Sequence, residues 1–283
     1  MWRTCCFLLS LSCSLAAQSP LDRARELYNR TQYEAALKIL EPLPGKDGAA
    51  WALAGRIHYM LGDFKKASEA FERAVAAEPG KSEHHNWLGK AYGRRAETAN
   101  PFSAPGLASR ARRSFERAVE LDPGNVEAAS DLFEYYLHAP GFLGGGLDKA
   151  ARLAEQIKAN DPAQYHYLMA RLAEKRKEFK TAEEQLRRAV DLAPRQVGRV
   201  LDLARFLGRQ GRLPESEAAF ERAAAIDPAD PRILFEKASV YIRNKRNLDT
   251  ARALLKRYLE SELTPDHPPR AEAEKLLREA GDV

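Results

Sequence analysis

Residues 48–81 read GAAWALAGRIHYMLGDFKKASEAFERAVAAEPGK, and the reading of this stretch decides the fold. Trp51, Gly55, Gly62, Phe64, Ala67, Phe71, Ala74 and Pro79 fall at helical spacings on two segments, 49–61 and 64–77. A Gly62-Asp63 turn separates them and Pro79-Gly80 stops the second. Two amphipathic helices joined by so short a turn must lie antiparallel, and such a pair cannot bury its whole apolar surface alone. The same spacings recur, with losses, along most of the chain, so the stretch is one unit of a repeat.

Aligned on their second helices, the units share a column of small residues where two helices must approach closely: Ala36, Ala67, Ala111, Ala150, Ala182, Ser216 and Ala251. Four residues on, the same helical face carries Leu40, Phe71, Phe115, Ala154, Leu186, Phe220 and Leu255. Prolines 79, 123, 162, 194 and 228 punctuate the junctions. Seven units result. Trp51, Gly55, Ala67, Phe71 and Pro79 resemble the signature of the tetratricopeptide repeat (TPR), a 34-residue helix-turn-helix unit, over roughly residues 18–262. The resemblance implies an all-α, right-handed superhelical solenoid of about seven units with a C-terminal capping helix. It also implies a non-catalytic protein-protein interaction scaffold without a cofactor.

Composition agrees with an ordered chain. Of 283 residues, 45% are hydrophobic and 30% charged, enough apolar material for a core and enough charge for wide solvated faces. The net charge of +5 favours acidic partners without making nucleic acid the default. Residues 1–17 read as a secretory signal peptide: Arg3 precedes the apolar run Cys5–Leu15, and Ser14-Leu15-Ala16-Ala17 offers small residues for cleavage. That run falls short of the ~20 apolar residues of a spanning helix. The expectation is an exported protein, periplasmic or secreted. All three cysteines lie in this segment, so the mature chain can form no disulfide. A lipid anchor on Cys13 is disfavoured, because Ser10-Leu11-Ser12 matches such signals poorly. The expected organisation is a signal at 1–17, a solenoid at 18–265 and a capping segment at 266–283.

Departures from the repeat are informative. About ten extra residues near 97–107 and about five near 139–146 are inserted at the same turn of the third and fourth units. They are expected to project side by side from one edge. Phe133 occupies a column held elsewhere by Ala24, Gly55, Gly89, Ala170, Ala204 and Ala238, which predicts wider packing in the fourth unit. Pro268-Pro269 should start a last helix, 270–280.

In the TPR arrangement first helices line the concave surface, so their columns are the binding candidates. One reads Arg25, Arg56, Lys90, Glu134, Arg171, Arg205 and Ser239. One turn further lie Asn29, Met60, Arg94, His138, Lys175, Arg209 and Arg243, with Tyr28, Tyr59, Tyr167 and Phe235 interleaved as anchors. Stacked cations sum their fields and arginine bonds carboxylate at two points, so the expected ligand is an extended or acidic segment of another protein, with no cofactor or metal. The competing reading is a solvated face whose cations pair with neighbouring Glu and Asp. Two further alternatives use the inserted loops: an accessory lobe of an envelope enzyme, or a binder of anionic envelope polymer. The histidines show no metal-ligand spacing and no G-x-S-x-G occurs. The Gly141–Gly146 run lacks the phosphate-loop order and reads as a shaped turn.

Overall fold

The computed structural model describes residues 18–281. The expected signal segment and Cys13 lie outside the described residues. Fifteen α-helices and a single 3-10 turn, with no strand among the described residues, form seven antiparallel pairs and a final helix. The pairs are α1 Pro20–Asn29 with α2 Tyr33–Leu40, α3 Gly48–Met60 with α4 Phe64–Ala77, and α5 Ser82–Thr98 with α6 Ala104–Leu121. Then follow α7 Val126–His138 with α8 Leu147–Ile157, α9 Pro162–Lys175 with α10 Phe179–Leu192, and α11 Val197–Arg209 with α12 Leu213–Ile226. The seventh pair is α13 Pro231–Arg243 with α14 Leu248–Glu260, capped by α15 Arg270–Glu279.

Local chemistry sets the helix ends. Asp47, Asp63, Asn125 and Asp161 accept from backbone N–H groups of the first turns that follow them. Pro162 and Pro231 open α9 and α13, where a missing N–H costs nothing. Five first helices end in a left-handed residue, at Thr31, Gly62, Lys177, Gly211 and Lys245. Each is followed by a backbone N–H that bonds five residues back, as Asp63 does to His58 and Arg246 to Tyr241, so the turn is closed by main-chain bonds.

Packing follows the two columns. Ala36, Ala67, Ala111, Ala150, Ala182 and Ala251 are fully buried and Ser216 nearly so. Gly55 and Gly89 face Phe71 and Phe115 so closely that an added Cβ would come within 2.8 and 2.5 Å of the rings. Phe133 is also fully buried, but its unit carries Ala154 where others carry Phe or Leu. The bulk is exchanged across that pair, and α7 and α8 approach each other closely at fewer places than the helices of any other pair, in line with the wider packing expected there. Neighbouring first helices touch repeatedly (α1 with α3, α3 with α5, α5 with α7, α7 with α9, α11 with α13), whereas second helices of adjacent units make no comparable contacts. First helices therefore lie inside the bend.

The insertions are not long loops. The first is absorbed by lengthening α5 and α6 to 17 and 18 residues, leaving a turn at 99–103. The second folds into a 3-10 turn, Gly141–Leu143, and the glycines behind it bond inward: Gly145 N–H to Pro140 and Gly146 N–H to Tyr136. A Cβ on Gly145 would lie 1.8 Å from the Ala139 carbonyl oxygen, so this position requires glycine. The turn packs on α6, with Gly144 against Arg112.

The C-terminal segment returns to the beginning of the chain. Leu263, Thr264, His267, Pro268 and Arg270 line one side of a cleft of about 350 Å³, and Thr31, Tyr33, Glu34, Met60 and Leu61 line the other. Burial, helped by Tyr28 and Asp266, pushes the Tyr33 phenol up to about 12.

Candidate functional site

The concave face is built from the first helices, and it carries an ion-pair ladder that crosses from unit to unit. Arg56 on α3 pairs with Glu83 on α5. Lys90 on α5 reaches Glu127 at 2.5 Å and Asp131 at 3.1 Å on α7. Arg171 on α9 bonds Glu134 on α7 at 3.0 Å, and Arg209 on α11 bonds Glu174 on α9 at 2.6 Å. Arg205 holds Asp202 on its own helix and Glu236 on α13, the latter at 3.2 Å. Arg25 pairs with Asp22, and Arg94 with Glu97 at 2.5 Å. Most of the expected cationic column is therefore compensated within the molecule. The residue spacing explains why. Three residues before the column stand Asp22, Asp131, Asp202 and Glu236, and seven before it stand Glu83 and Glu127. Those acids, not singled out by the sequence reading, were legible as a second column.

Burial makes these pairs strong local determinants of charge. It pulls the Lys90 ammonium down, but Asp131 and Glu127 outweigh it and hold the group above its ordinary range. Burial pushes the Asp131, Asp202 and Glu236 carboxyls up, against the pull of Lys90 and Arg205. Trp87 serves as a platform on the same face: Arg56 and Lys90 sit 5.0 and 4.6 Å from its ring, Tyr59 meets it edge-on and Phe71 stacks behind it.

The expected aromatic anchors divide. Tyr59 and Tyr167 are half-buried, Tyr167 beneath the Arg199 guanidinium at 4.8 Å. Tyr28 and Phe235 are only 6% exposed and belong to the core, because their helix positions turn them between units; this corrects the expectation that they serve as exposed anchors. Lys175 and Arg243 stand at the last turns of α9 and α13, exposed and without a carboxylate partner among the described residues. They lie towards the rim, away from the middle of the groove.

Three polar atoms on the first helices remain unpartnered although buried: His84 Nδ1, Asn86 Oδ1 and Arg205 Nε. Asn86 donates to Asp131 at 2.8 Å, which fixes its amide with the free oxygen elsewhere. His84 bonds Glu78 at 2.9 Å through Nε2 and lines a cavity of about 340 Å³ with Arg25, Tyr28, Asn29, Arg56 and Glu83. Among the described residues no group of three or more His, Cys, Asp or Glu could hold a metal ion, and no helix is long and apolar enough to cross a membrane.

Comparison with known proteins agrees with this architecture. Family profiles for the tetratricopeptide repeat match residues 48–81, 163–196 and 201–268. No curated protein matches the chain. Among solved structures, a thermophilic TPR protein of Thermus thermophilus is 23% identical, with a TM-score of 0.54 over 66% of this chain and 97% of that one. A tetratricopeptide repeat protein of Parabacteroides merdae is 12% identical, with a TM-score of 0.59 over 93% and 97%. A Cut9–Hcn1 hetero-tetramer of the APC/C is 14% identical, with a TM-score of 0.51 over 92% of this chain and 48% of that one. These likenesses establish the shared fold. With three profile matches, a repeated two-column core and an all-helical solenoid, the chain belongs to the tetratricopeptide repeat family.

Proposed function

We propose that this TPR scaffold holds an extended segment of another protein along its concave face, and that the segment presents acidic side chains. The observation that carries the reading is the Trp87 platform of the concave face, with Arg56 and Lys90 5.0 and 4.6 Å from its ring and paired to the exposed carboxylates Glu83 and Glu127. The ion ladder adds selectivity. Glu83 and Glu127 are more than half exposed while Arg56 and Lys90 are about one quarter exposed. An incoming acidic side chain thus competes with carboxylates that swing away easily. The mechanism is exchange of one carboxylate for another, with no covalent chemistry. Export to an envelope or beyond, inferred from residues 1–17, would make the partner another exported protein.

The test uses a fluorescently labelled oligoglutamate of about twelve residues, which spans roughly 40 Å when extended. The Glu83→Gln, Glu127→Gln double substitution removes the two exposed competitors and leaves the shape unchanged. It should tighten binding by about five- to thirtyfold, at roughly 0.5–1 kcal/mol for each exposed pair. Binding should weaken steeply with added salt. Equal affinity before and after the substitution, or binding indifferent to salt, refutes the acidic-segment reading.

A further inference from the structure

The solenoid has two rims, and they differ. Each unit runs out along its first helix and back along its second, so all the turns within units fall on one rim and all the connections between units on the other. Of the five large apolar side chains that are exposed among the described residues, four lie on the first rim: Leu61, Phe102, Phe142 and Phe179. Leu192, at the end of α10, is the one on the opposite rim. Leu61 is explained by the cleft against the C-terminal segment. Phe179 fills a column that the repeat itself demands, held elsewhere by Tyr33, Phe64, Leu147, Leu213 and Leu248. Phe102 and Phe142 have neither explanation. They sit on the two inserted turns of adjacent units, 97% and 83% exposed.

The same rim continues into units five and seven as Lys175-Arg176-Lys177-Glu178-Phe179-Lys180 and Arg243-Asn244-Lys245-Arg246. These turns hold seven cations and one carboxylate, Glu178. In contrast to the compensated ladder of the groove, all seven are exposed, and no carboxylate among the described residues partners them. Lys177 and Lys245 also adopt left-handed backbone, with φ of 63° and 51°, where the second and sixth units have Gly62 and Gly211 and the first has Thr31. A lysine there is strained relative to glycine.

We propose that this rim rests on a membrane surface rich in anionic lipid, with Phe102 and Phe142 entering the headgroup layer and the cations of units five and seven held against lipid phosphates. Apolar side chains flanked by unpaired cations are the combination that peripheral membrane contact requires. A protein interface would gather its apolar anchors into one central, desolvated cluster. Here single tips on units three and four and basic turns on units five and seven are spread along the rim, as a broad charged surface would meet them.

The test is vesicle flotation of the full chain, comparing phosphatidylcholine alone with phosphatidylcholine containing phosphatidylglycerol. The apolar run of residues 5–15 can bind any vesicle, so the readout is the increment that phosphatidylglycerol adds. Wild type should gain that increment and lose it at high salt. Each rim charge contributes about fivefold to partitioning, so Lys177→Glu, Lys245→Glu should reduce it by at least about 25-fold. Phe102→Ser, Phe142→Ser should reduce it by about tenfold or more. Circular dichroism of both variants should match wild type, because the four side chains are exposed. Rim variants that float like wild type overturn the proposal. So does a wild type that gains nothing from phosphatidylglycerol; loss of a protein partner by the Phe102→Ser, Phe142→Ser variant would then assign the rim to protein.

Discussion

Gly55 and Gly93 are both helical glycines, and only their surroundings separate them. Glycine inside a helix costs about 1 kcal/mol relative to alanine. Gly93 has open space about it, with nothing within 4 Å of an added Cβ. A Cβ added at Gly55 would lie 2.8 Å from the fully buried Phe71 ring, which has nowhere to move. Gly93→Ala should therefore raise stability by about 0.5–1 kcal/mol. Gly55→Ala should lower it by about 1–3 kcal/mol, since overpacking outweighs the propensity gain. Urea midpoints at constant slope would check both. The residue scale also shows why the cationic column misleads when read alone. Lys90 is designated basic by the sequence, yet its partners Glu127 and Asp131 stand 37 and 41 positions later on the next first helix.

At the scale of the element, the unit is a pair of facing columns, one small and one large. Gly55 with Phe71 and Gly89 with Phe115 follow the pattern, and Phe133 with Ala154 inverts it. Phe133→Ala should cost about 3–5 kcal/mol, because it leaves two small residues and a cavity between α7 and α8. Adding Ala154→Phe in that background should recover a large part; no recovery would mean that the two columns do not share one volume. Most helix pairs were legible because the periodicity and the turn residues agree. The inserted segments were less so. Residues 97–107 hold Pro101, Pro105 and Gly106, which read as loop, yet α5 and α6 extend through much of them. Packing of the two lengthened helices against each other offsets the weak propensity of that stretch. In the fourth unit the glycines were rightly read as a shaped turn, but the bonds to Pro140 and Tyr136 depend on the fold.

Across the whole molecule, titration links parts that are far apart in sequence. Burial lowers the pKa of His58, His85 and His267, in the second unit, the third unit and the C-terminal segment. A histidine depressed in the folded state contributes stability that is complete above its unfolded pKa of about 6.5 and is lost as pH falls below it. The carboxyls raised by burial, Asp131, Asp202 and Glu236, act in the opposite sense, since folding favours their protonated forms. Replacing His58, His85 and His267 together by Gln isolates the first contribution. Thermal midpoints between pH about 7.5 and 5.5 should then fall less with acid than those of wild type. An unchanged slope would show that these histidines are solvated in the folded protein.

The sequence by itself determined the repeat, the number of units, the helical class and the column of small residues on which packing depends. These follow from local spacing, because the 3.6-residue period and short turns are written within each unit. Only the tertiary structure decided which charges of the concave face remain available and which exposed residues share a rim. It also brought Leu263 and His267 back beside Tyr33 and Met60. Those outcomes depend on the bend accumulated from unit to unit, a small rotation repeated seven times, and no single unit of sequence encodes that sum. Gly48–Lys81 thus specifies how the chain folds, while the acids one unit away and the irregular turns specify what its surfaces can meet.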